Sequence, residues 1–194
     1  MKHLLSLLSA RAVAAALLLA LAAPALPALA QNTVPAPDPI PSPAMIAYHQ
    51  YDDGTRVQIS YSSPRLRDPE TGEQREIFGK LEPFGKVWRL GANTSTTLIT
   101  SGDVEIGGQH VPAGTYTLFA IPNPEQWTFI VNKVVPQWGA FTYDESQDLT
   151  RFQVPAVHTP DTYEAFSIDF DEEGANLNVV WDQTKLVVPI KPAG

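Results

Sequence analysis

The sequence predicts an all-β protein: an antiparallel, jelly-roll-like β-sandwich forming one domain with a long ordered loop. Two observations carry this. Apolar residues alternate with polar ones at Val57, Ile59 and Tyr61, at Phe166, Ile168 and Phe170, at Leu177, Val179 and Trp181, and at Leu186, Val188 and Ile190. Period-two burial puts one strand face in a core and the other in water. No segment carries a helical apolar stripe of useful length.

The elements follow in chain order. Residues 1–30 read as a signal peptide. Lys2 and Arg11 start it, Ala12 to Leu21 is a short apolar run, and Ala28-Leu29-Ala30 is a small-residue cleavage signal before Gln31. Pro24 and Pro27 interrupt the run before it reaches spanning length, so no membrane span is expected after cleavage. Residues 31–45 read as a proline-rich linker, with proline at positions 35, 37, 39, 41 and 43. Residues 46–194 are the sandwich domain. Gly107-Gly108 between Val104-Glu105-Ile106 and Gln109-His110-Val111 signals a two-residue hairpin. Thr115 to Ile121, apolar on both faces, reads as a central strand, with Trp127 to Asn132 paired to it across residues 122–126. Asp171 to Gly174 reads as a hairpin tip. Ser62 to Gly91 breaks the rhythm, although Ile77, Phe78, Leu81, Phe84, Val87 and Trp88 mark it as packed down; Glu73 to Lys80 allows a short helix.

The chain is acidic, with a formal charge of −8. Removing Lys2 and Arg11 with the leader leaves 11 basic and 21 acidic residues, a charge of −10. That disfavours nucleic acid, whose phosphates need a basic surface. The absence of cysteine excludes disulfides, thiolate metal sites, a cysteine nucleophile and a lipobox, so export points to a periplasmic or secreted protein. His49, His110 and His158 are isolated, so no metal site is expected and no cofactor is indicated. No nucleophile elbow, zincin motif or phosphate-cradling loop is present, so no catalytic residue is assigned.

The run Phe78 to Asn93 packs aromatics, glycines, Lys80, Lys86, Arg89 and Asn93 into sixteen residues without strand or helix period. An ordered irregular segment of that composition is where a site is sought. The candidate ligand-binding residues are Arg65, Trp88, Arg89, Asn93, Trp138, Asp148 and Arg151. Arginine near tryptophan offers a planar donor fork to a carboxylate, phosphate or sugar hydroxyl pair. The competing use is structural: Arg89 or Arg151 pinned by Asp148 and loop carbonyls, which is the commoner use and the favoured one. Trp127 and Trp181 belong to the core, whereas Trp138 is the best candidate for an exposed contact. Asn93 and Asn132 read as turn caps.

Ser63-Pro64-Arg65, Ile77-Phe78-Gly79, Val87-Trp88-Arg89, Gly91-Ala92-Asn93, Trp127-Thr128, Asn132-Lys133, Gln137-Trp138-Gly139 and Asp148 to Arg151 together resemble the DUF2911 family of exported bacterial proteins. That family carries no assigned biochemical function. The resemblance implies a shared exported β domain, with Arg67 to Gln74 as a small insertion and Thr94-Ser95 replacing an acidic residue and alanine. The functional expectation is a non-enzymatic binding module for a small molecule, glycan or protein. The alternative is a hydrolase-like enzyme with a polar site around the 62–93 loop.

Overall fold

The computed structural model describes residues 41–194; the stretch read as a signal peptide and most of that read as a linker lie outside them. The domain is all-β, two antiparallel sheets of six and four strands, sandwich-like, with no α-helix among the described residues. In chain order the strands are β1 (Ala44–Gln50), β2 (Arg56–Ser62), β3 (Thr96–Thr100), β4 (Val104–Ile106), β5 (Gln109–Val111), β6 (Gly114–Ile121), β7 (Gln126–Asn132), β8 (Asp148–Pro155), β9 (Val157–Phe170) and β10 (Asn176–Pro192). The larger sheet runs β1-β2-β3-β6-β7-β8 and the smaller β5-β4-β10-β9.

The alternating residues face inward as expected: Val57, Ile59, Ile168, Val179, Leu186 and Ile190 are buried. The Gly107-Gly108 hairpin joins β4 to β5, and β6 lies between β3 and β7 in the larger sheet. A side chain at Gly107, where φ is +57°, would fall onto the Phe152 ring, so only glycine fits this turn.

Three sequence readings are corrected. The sheet begins at Ala44 rather than at 46, because Ala44 and Met45 retain backbone N–H groups and pair with Ser62 and Tyr61. No helix forms over 73–80; the segment folds into turns closed by isolated bridges between Arg67 and Gln74 and between Phe78 and Glu82. Leu177–Trp181 and Leu186–Ile190 are halves of one strand, β10, whose pairing with β9 slips register on either side of Asp182.

The 62–93 loop ties the sheets together. Leaving β2, the chain crosses to the smaller sheet, where Arg65 bridges Ala165 and the Leu66 N–H donates to the Glu164 carbonyl at 2.6 Å. It returns at Trp88, which exchanges both backbone hydrogen bonds with Ala120 of β6, at 2.7 and 3.0 Å. Between these seams Ile77 and Trp88 are buried and Phe78 packs beside them. Trp88 lies edge-on to Phe78, Trp127 and Phe166 and stacks on Trp181 at 5.8 Å between ring centroids. This cluster fills the core beneath the loop and fixes where its polar residues emerge.

Candidate functional site

The loop and the chain entering β1 enclose a cleft of about 280 Å³. Its walls carry Arg65, Arg75, Arg89, Asn93 and Glu82, together with Ser42, Gly91 and Trp181. Each is placed by a local cause. Arg65 sits on the seam with β9. Arg89 follows the Trp88 bridge to β6. Glu82 ends a tight turn in which its N–H donates to the Ile77 carbonyl at 2.9 Å, with Ile77 itself fully buried. Gly91 approaches β2 so closely that a Cβ would stand 2.8 Å from the Ser62 carbonyl oxygen. Its φ of +148° is likewise open only to glycine.

Backbone strain gathers here. The non-glycine residues with positive φ among the described residues are Leu90, Asn93 and Asp182. Asn93 lines the cleft, Leu90 adjoins Arg89 and Gly91, and Asp182 follows Trp181. Such conformations cost about 1–3 kcal/mol each and persist where the surroundings over-determine them, commonly at ligand sites.

The electrostatics are lopsided. None of the Arg65, Arg75 and Arg89 guanidiniums has an ion-pair partner among the described residues. Arg75 donates to the Leu66 and Arg65 carbonyls, and Arg89 donates to the Asn93 carbonyl at 3.1 Å. Glu82 is the one carboxylate in the walls. Burial pushes its carboxyl up to about 7, against the opposing pull of Arg89, the Trp88 indole and Arg75. The Trp181 Nε1–H, also buried, has no acceptor among the described residues.

The raised Glu82 carboxyl has a stability consequence. Between its ordinary value of 4.5 and about 7, the folded state holds a proton that the unfolded state has released. Stability is therefore expected to fall as pH rises through that window, by about 2 kcal/mol after allowance for partial exposure. Glu82→Gln should flatten this profile, matching wild type near pH 4.5 and exceeding it by about 2 kcal/mol at pH 8. Urea denaturation across that range checks it; parallel profiles for the two proteins would contradict it.

The seven sequence candidates separate into four groups. Arg65, Arg89 and Asn93 meet in the cleft. Trp88 lies beneath it, 3 % exposed, and is core. Trp138 is 63 % exposed but lies outside the cleft walls. Asp148 and Arg151 form a separate network. There the Arg151 Nε donates to Asp148 at 2.6 Å, Asn132 Nδ2 donates to Asp148 at 2.8 Å, and the Tyr143 hydroxyl donates at 2.7 Å. Burial and the adjoining Asp148 push the Tyr143 phenol up to about 12.

Of the two arginines expected to be pinned, Arg151, three residues along β8, is the one held by Asp148, while Arg89 meets only a loop carbonyl, that of Asn93. Arg89 also lies over the exposed Phe141 ring, 5.5 Å from its centroid. The turn cap read at Asn132 holds, with its Oδ1 accepting from the Val134 N–H at 3.0 Å. Asn93 does not cap; it reaches back to Ser42 and Ser62.

Sequence reasoning missed Arg75, Glu82 and the cleft face of Trp181. A lone glutamate between leucine and proline carries no pattern, and the alternation of β10 marked Trp181 only as core. Among the described residues no group of three or more His, Asp or Glu side chains gathers to hold a metal. No helix there is long and apolar enough to cross a membrane.

Fold and cleft together define a β-sandwich with an arginine-rich recess at the seam of its two sheets. The chain belongs to the DUF2911 family, described as a protein of unknown function, whose model matches residues 42–190. No curated protein and no solved structure is a match to the chain.

Proposed function

We propose that the protein is an exported, non-enzymatic binding module that holds a small polar ligand in the cleft between the 62–93 loop and β10. The observation that carries this is the convergence of Arg65, Arg75 and Arg89, free of carboxylate partners among the described residues, on one open recess. Arg151, by contrast, is ion-paired to both Asp148 and Glu145. A recess of about 280 Å³ is near the lower bound of ordinary small-ligand pockets and suits a small molecule or a small group of a larger one. Export follows from the leader-like residues 1–30, and the acidic surface suits a freely diffusing protein.

A hydrolase-like reading draws support from Glu82, whose carboxyl near 7 would suit a general acid. It lacks a partner: the described cleft walls contain no histidine, and their one hydroxyl, Ser42, belongs to the segment preceding β1. Binding without turnover is the better-supported reading.

Thermal-shift screening of a chemically mixed ligand set against wild type and Arg89→Ala tests it. A genuine ligand should lose about tenfold in affinity in the variant, the loss of one charged hydrogen-bonding group. The variant itself should melt close to wild type, because Arg89 has one backbone hydrogen bond and an exposed aromatic contact to lose. Ligands that stabilise both proteins equally would place binding elsewhere.

A further inference from the structure

We propose that the ligand of this cleft is a small, multiply charged oxyanion, presenting carboxylate or phosphoryl oxygens to Arg65, Arg75 and Arg89. The inference rests on the reading of the cleft as a ligand site and specifies its chemistry. A guanidinium has five N–H donors and accepts nothing. The walls hold three of them, and few of their donors are used. The Leu66, Arg65 and Asn93 carbonyls near them are already occupied by Arg75 and Arg89. The Trp181 indole adds a buried donor with no acceptor among the described residues. Unmet donors outnumber unmet acceptors, so the complementary molecule is rich in acceptors.

Charge points the same way. Three arginines against one glutamate give the recess a formal charge of about +2 with Glu82 ionised and about +3 with it protonated. The chain as a whole, recess included, is net −8. A local reversal of sign inside an acidic protein focuses anions onto one spot while the rest of the surface repels them. A cationic ligand would meet the wrong field.

Neutral glycans fit poorly, for a geometric reason. Sugar rings stack on open aromatic faces, yet Trp88 and Trp181 are 3 % and 1 % exposed. The exposed ring of Trp138 lies outside the walls. What remains is a recess whose arginine donors sit among Pro41, Pro64, Pro69 and Leu81, without an open aromatic platform.

Glu82 then acts as a selector. It faces Arg75, Arg89 and the Trp88 indole, and Arg65 is also among the cleft walls. Ionised, it repels an incoming oxyanion; protonated, it donates one more hydrogen bond to it. Glutamine mimics the protonated form.

Isothermal titration calorimetry of the whole protein with citrate, succinate, inorganic phosphate, glucose and putrescine tests the assignment. At least one of the three anions should bind, with affinity falling as salt is raised. Arg65→Ala and Arg89→Ala should each weaken it about tenfold or more, and Arg89→Lys should recover only part, since it keeps charge but loses the fork. Glu82→Gln should tighten it at pH 8. The carboxylates and phosphate arms separate the two sources of oxyanion. Binding of glucose or putrescine at an arginine-sensitive site, with the anions silent, would overturn the oxyanion class and leave the binding module standing. Silence from the whole panel would overturn both. Anion binding indifferent to Arg65→Ala and Arg89→Ala, in variants whose melts match wild type, would place the anion outside the cleft and overturn the inference.

Discussion

Truncating Trp88 to alanine is expected to destabilise the protein by about 4 kcal/mol, the upper range for removing a large core aromatic. Trp88 is 3 % exposed and touches every other ring of the central cluster, lying against Phe78, Trp127 and Phe166 and stacking on Trp181. Its Nε1–H also donates to the Gly91 carbonyl at 3.1 Å, a bond that positions the glycine next to Arg89 and Asn93. The cavity left behind cannot close, because the Trp88 backbone is fixed to Ala120 on β6. Chemical denaturation measures the loss. Trp88→Phe should recover part of the packing but not the Gly91 bond. A Trp88→Ala variant within 1 kcal/mol of wild type would mean that the cluster does not anchor the loop.

Replacing Asp148 by alanine is expected to cost about 3 kcal/mol, for a different reason. Its carboxylate serves three donors: Arg151, Tyr143 and Asn132. Asn132 is fully buried and has no route to water once that acceptor is gone. Arg151 softens the loss, because its side chain is a third exposed and keeps Glu145 at 3.1 Å. The network extends through Gln137, which donates to Asn132 and Val134 and so closes the 133–147 loop onto β7. Asp148→Asn retains an acceptor oxygen and should cost less than half as much. If Asp148→Ala denatures at the wild-type midpoint, the network is ornamental, and Asp148 and Arg151 return to consideration as surface contacts.

The strands that read clearly in the sequence are those whose inward residues are aliphatic or aromatic, such as Val57, Ile59 and Tyr61. β3 was illegible because its inward face begins and ends in threonine. Thr96 and Thr100 are 0 % and 3 % exposed, and their hydroxyls are satisfied by the Leu90 and Gly102 carbonyls. Buried threonine looks polar on paper, so the alternation disappears. The 62–93 loop was recognisable as packed but not as folded, since its order comes from isolated bridges to β6 and β9 rather than from any period. Within the site, Arg65, Arg89 and Asn93 stood out by residue type and do converge. Asp148 and Arg151 stood out as strongly and form a separate network: the structural pinning of an arginine by Asp148 was legible, but not which of Arg89 and Arg151 it would hold. Glu82 and Arg75 required the turn geometry of residues 66–82, which only the three-dimensional contacts supply.

The cleft is assembled from the segment before β1, the long loop, and Trp181 near the far end of the chain. Contacts between residues so distant in sequence form late, after the entropy of closing large loops has been met. The recess is complete only where the segment before β1, the long loop and β10 are all in place. Under the binding reading proposed above, a molecule held there would mark the folded protein. On that reading, a ligand should act chiefly on unfolding, slowing the escape of a protein that has already closed its two sheets.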